Sequence, residues 1–98
     1  MKTDLILVEQ FCLHHNIDVT FITALQDFGL VEVVIVEDRT YLPQEQLLAV
    51  EKMMRLHYEL EINLQGIDAI GHLLQRIEAL QQELTTTRNK LMSFGNRE

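Results

Sequence analysis

Ninety-eight residues, 47% of them hydrophobic, with four glycines and one proline, suit one small domain and argue against long disordered linkers. The formal net charge is −7, which opposes the phosphate neutralisation that supplies most nucleic-acid affinity. A single cysteine, Cys12, excludes an internal disulfide and suits a reducing cytosol.

The start, Met1-Lys2-Thr3-Asp4, lacks a signal-peptide layout, and no apolar run approaches the length of a membrane span. The expected location is therefore the cytoplasm, away from membranes. Thr3 to Ile6 is short and β-prone, either a brief strand or the lead-in to a helix. Leu7, Val8, Phe11, Cys12 and Leu13 follow helical spacing, which predicts a first helix from Leu7 to His15. Asn16 is a credible left-handed stop, because Asn tolerates positive φ better than most residues. Asp18 then suits the N-cap of a second helix with apolar positions Val19, Phe21, Ile22, Leu25 and Phe28, ended by Gly29. This is a helix-turn-helix. In a DNA reader the second helix enters the major groove and its neighbours grip phosphates. Here Asp18 to Phe28 holds no Lys or Arg, and the only cation before Arg39 is Lys2.

Val31 to Tyr41 predicts a hairpin. Its valines and Ile35 are β-prone, Glu37-Asp38-Arg39-Thr40 is a polar turn, and Tyr41-Leu42 returns. A hairpin directly after a helix-turn-helix is a wing. Pro43 suits the first turn of a third helix running to about Leu60. Leu47, Leu48, Val50, Met54, Leu56, Leu60 and Ile62 are its expected inner positions, while Met53 faces out. Asn63 caps a last helix that tolerates Gly66 in its first turn. From Ile70 this helix carries a heptad, with Ile70, Ile77, Leu84 and Leu91 at one position and Leu73, Leu80, Thr87 and Phe94 at the other. Thr85-Thr86-Thr87 weakens it locally. A helix of about thirty residues, roughly 45 Å long, either folds back in part or pairs with a second chain. The seam Ile70, Leu73, Ile77, Leu80, Leu84 and Leu91 favours pairing as a homodimer.

Charge divides along the same line. Residues 1–66 hold eleven acids and four bases, whereas residues 67–98 balance four against four. The acid half suits attraction to a basic protein surface; plain solubility is the simpler alternative. The expected organisation is a winged helix-turn-helix with its following helix over 1–66, then the long terminal helix over 67–98, in one structural unit.

Catalysis finds little support. No glycine-rich phosphate loop or nucleophile motif is present, and Glu37-Asp38 reads as a solvated wing tip rather than an acid–base pair. On a helix Cys12 and His14 point about 200° apart. Cys12 and His15 could converge, with Asp18 beside them, but no CxxC or second close pair completes a zinc set. A buried thiol and partly exposed imidazoles are the simpler reading, so no metal and no cofactor are expected. His57 and His72 are read as ordinary histidines near the last helix junction.

The order helix-turn-helix, wing, two helices resembles the MerR-type winged-helix regulators. The matching segments are Gln26-Asp27-Phe28-Gly29-Leu30, Tyr41-Leu42-Pro43-Gln44-Glu45-Gln46-Leu47 and Leu64-Gln65-Gly66-Ile67. A closer resemblance is to a divergent branch, the CbpM family of bacterial chaperone modulators. It is carried by Glu9-Gln10-Phe11-Cys12-Leu13-His14, Arg55-Leu56-His57-Tyr58-Glu59-Leu60 and Gly66-Ile67. The resemblance implies a mainly α fold with a small β-wing and a non-catalytic adaptor. Such an adaptor binds the J-domain of a DnaJ-like co-chaperone of the CbpA kind and limits its work with the Hsp70 chaperone. Candidate contacts are the acids around the second helix and wing: Asp18, Asp27, Glu32, Glu37, Asp38 and Glu45. The alternative is a MerR-like DNA-binding transcriptional regulator. Its available cations would be Arg39, Lys52 and Arg55 alone, so the charge argues against DNA.

Overall fold

A computed structural model describes residues 4–95. The element order is strand β1 (Leu5–Leu7), helices α1 (Val8–His15) and α2 (Val19–Asp27), strands β2 (Val34–Val36) and β3 (Arg39–Pro43), a 3-10 turn (Gln44–Gln46), helix α3 (Leu47–Met54), a π-helical turn (Arg55–Glu59) and helix α4 (Leu64–Gly95). The protein is mainly helical with a small antiparallel sheet and a long last helix.

Short-range chemistry sets the helix ends. Asn16 takes φ 57°, and Ile17 N–H donates to Cys12 O at 2.9 Å, closing α1 with a left-handed cap. Asp18 Oδ1 accepts from Thr20 N–H at 3.1 Å, so its carboxylate caps α2. Gly29, at φ 77°, stops α2 as Leu30 N–H reaches back to Leu25 O at 3.0 Å. Asn63 caps α4, its side-chain oxygen accepting from Gly66 N–H at 2.8 Å. A Cβ on Gly66 would stand 2.6 Å from Ile62 Cγ2, so this close approach requires glycine.

The sheet order is β1-β3-β2. Leu5 to Leu7 pairs with Pro43 to Tyr41, and Val34 to Val36 pairs with Tyr41 to Arg39. The ambiguous start is thus a strand; its Thr3 lies outside the described residues. The wing is shorter than its valines suggest. Val31 is buried ahead of the strand, and the turn narrows to Glu37-Asp38 because Arg39 and Thr40 belong to β3. Pro43 closes β3 opposite Leu5 instead of opening α3. A strand end needs no further ladder donor, so proline is tolerated there.

The core of the first unit gathers Val8, Phe11 and Cys12 from α1, Phe21, Ile22 and Leu25 from α2, Leu42 from β3, Val50 and Met53 from α3, and Ile67. Leu30 and Val31 fill the bend after α2. Met53 is 5% exposed and Met54 only half-buried, the reverse of the sequence expectation. Val50 and Met53 are three apart and share one helical face, so the buried stripe of α3 runs through Met53. Leu13, Leu48 and Leu60 are exposed, not inner positions. The chain divides into two compact units, Met1–Asp68 and Ala69–Glu98. In the second unit Leu73, Ile77, Leu80, Leu84 and Leu91 stand exposed along α4, while Ile70 is half-buried. No helix among the described residues is long and apolar enough to cross a membrane.

Candidate functional site

The outward face of α2 decides what this corner can bind. Val19, Thr20, Thr23, Gln26 and Asp27 are exposed, whereas Phe21, Ile22 and Leu25 are buried. Thr23 spends its hydroxyl on Val19 O at 3.3 Å. The amide donors at the start of a helix are the natural phosphate seat. In α2 the Asp18 carboxylate already occupies that position. The face is therefore neutral along its length and anionic at both ends.

All six sequence-selected acids are exposed: Asp18, Asp27, Glu32, Glu37, Asp38 and Glu45. They are spread rather than clustered. Asp18 caps the start of a nine-residue helix and Asp27 is its last residue, about 13 Å away at 1.5 Å per residue. Glu32 follows the bend, its N–H donating to Gln46 Oε1 at 3.4 Å, and Glu45 sits in the 3-10 turn. Glu37 and Asp38 form the wing tip, with φ 49° and 66°. Two successive positive φ values define the tight turn that favours Asn-Gly; a Glu there is held against its preference. Asp38 lines a small concavity with Glu9, Arg39 and Thr40 against Val19, which joins the wing to the start of α2. Strand β2 is apolar: Val34, Ile35 and Val36 are all exposed, Ile35 by 69%.

His57 and Tyr58 belong to the junction motif Arg55 to Leu60, with no role legible for them in the sequence. They pack the junction against α2. Ile62 O lies 2.7 Å from His57 Nδ1; a carbonyl can only accept, so Nδ1 carries the proton. The imidazole stacks on Phe21 of α2, with centroids 5.1 Å apart and planes at 18°. Tyr58 leans on the same ring at 5.4 Å and meets His57 edge-on at 4.8 Å. The chain widens here into the π-turn, where Leu60 N–H donates to Arg55 O at 3.2 Å and Glu61 takes φ 57°. A groove of about 540 Å³ opens beside this turn. The quoted motif Arg55 to Leu60 was the available signal for it.

Cys12 is buried, and burial first, then the Asp18 charge, pushes its thiol above the ordinary value of 9.0. A thiol held neutral is a poor nucleophile and metal ligand. His15 packs its ring on Phe11 at 4.4 Å. No group of three metal-ligating side chains is assembled among the described residues.

Two helices at a tight turn, a hairpin behind them and a further helix pair define a winged helix-turn-helix protein. Residues 6–89 match the family described as MerR HTH family regulatory protein, and the chain belongs to that family. No curated protein and no solved structure matched it.

Proposed function

We propose that this chain is a non-catalytic cytoplasmic adaptor of the CbpM type. It binds the J-domain of a DnaJ/CbpA-like co-chaperone and restrains that protein's work with Hsp70. The observation that carries the reading is the outward face of α2, without a cation and with a carboxylate on its phosphate-binding end. The wing adds an acidic tip and three exposed apolar residues, a composition suited to a basic protein surface with apolar patches. Asp18, Asp27, Glu32, Glu37, Asp38 and Glu45 are the proposed contacts. The exposed α4 row Leu73, Ile77, Leu80, Leu84 and Leu91, with Ile70, supports a homodimer in which two seams cover one another. Titration calorimetry with a purified J-domain tests the adaptor reading. Binding that the pair Asp27→Lys and Glu32→Lys weakens at least tenfold supports it, and unchanged affinity and salt dependence refutes this choice of surface.

Family membership favours one second reading, a MerR-like transcriptional regulator that binds DNA. Its cations near the corner are Arg39, Lys52 and Arg55, all exposed. Few phosphate contacts imply weak binding with a shallow salt slope. A gel shift on promoter DNA at physiological salt that Arg39→Ala abolishes would establish it.

A further inference from the structure

The groove beside the π-turn lies outside the six acids assigned above, and its walls are chemically mixed. Ile17 and Met54 give an apolar floor, both half-buried. Tyr58 stands at the rim, 46% exposed. Glu51 and Glu59 supply carboxylates, with Arg55 between them at spacings of four residues. We propose that this groove seats one arginine or lysine side chain from the basic surface of the partner. The proposal rests on the adaptor reading and gives that interface an anchor.

His15 and Asn16 complete the lining, and the floor, the Tyr58 ring and the two carboxylates each have a counterpart in a long cationic side chain. The aliphatic stem of Arg or Lys covers apolar surface while its head stays charged. Ile17 and Met54 take the stem, and a thioether adapts to irregular shapes. The Tyr58 ring offers a π face to the cation, and the two carboxylates accept its N–H donors. The rim is built in advance. Phe21 stacks against His57 and Tyr58, and His57 is tied to Ile62 O, so Tyr58 is positioned by the core rather than by the ligand. The widened turn that displays Tyr58 and Glu59 is a π-helical segment, an element that recurs at functional sites. Arg55 is the chain's own cation on the groove lining, and its charge repels an incoming one.

Attraction by the carboxylates and repulsion by Arg55 give the test two opposite signs. Titration calorimetry of the full chain with a purified J-domain compares the wild type, the double variant Glu51→Gln with Glu59→Gln, and Arg55→Gln. Circular dichroism checks that each keeps its helix content. The double variant is expected to bind about tenfold more weakly, and Arg55→Gln about two- to fivefold more tightly. A role in folding alone would not make one substitution strengthen binding. A double variant that binds like the wild type, or an Arg55→Gln variant that binds more weakly, overturns the anchor. If the double variant loses its fold, the sign of the Arg55→Gln effect still decides. Wild-type chain that binds the J-domain while groove variants stay neutral refutes the groove and spares the adaptor reading. Absence of wild-type binding refutes both.

Discussion

Asp18 holds a helix and carries a charge, and the two roles can be separated. Asp18→Ala removes the acceptor for Thr20 N–H and should lower stability by about 1 kcal/mol, read by chemical denaturation. Asp18→Asn keeps an acceptor and removes the charge, so it should leave the thermal midpoint in place and weaken J-domain binding. At the wing tip the conflict is sharper. Glu37 and Asp38 both adopt positive φ, where Asn-Gly is the relaxed pair. The double substitution Glu37→Asn with Asp38→Gly should stabilise the fold by about 1 kcal/mol. If the acidic tip touches the partner, the same substitution costs affinity, a separation that denaturation and calorimetry together would register. Cys12 contributes at the alkaline end. Its thiol is raised in the folded state above 9.0 by burial first and the Asp18 charge second. Its share of stability is therefore complete below pH 9 and lost as pH rises through the higher folded-state value. Cys12→Ala should flatten that alkaline decline in a denaturation series.

Within single elements, the sequence was most legible where the cause is local. Asn16, Asp18, Gly29 and Asn63 mark helix ends through their own backbone preferences or side-chain oxygens, and all four act where expected. It was least legible where a distant partner decides. Pro43 joins a strand because Leu5 lies opposite it, and nothing near Pro43 in sequence announces that pairing. Met53 turns inward with Val50 because the buried side of α3 is chosen by what it packs against. The π-turn also depends on distance, since Phe21, more than thirty residues away, receives the His57 ring. The acids of the candidate surface could be picked out by charge, but their spread around α2 and the wing could not. Phe21→Leu tests the stack. It keeps most of the buried volume and removes the aromatic partner, so stability should fall by about 1–2 kcal/mol. The Tyr58 ring resonances should shift in the same variant, because that ring leans on Phe21.

At the scale of the molecule, charge and apolar surface are kept in different places. The acid excess is confined to residues 1–66, and the exposed seam runs along α4. The seam predicts a dimer by light scattering, and Leu80→Glu with Leu84→Glu, which preserves helix propensity, should give a monomer with its helix content intact. A wild-type chain of monomer mass would contradict that assembly. The central proposal concerns partner class: this winged helix-turn-helix is proposed to meet a basic protein surface rather than phosphates. Calorimetric titration of the purified J-domain into the wild-type chain, at low and at high salt, tests it most directly. The account predicts saturable binding that weakens as salt screens the acidic face. No heat of binding at low salt would contradict it.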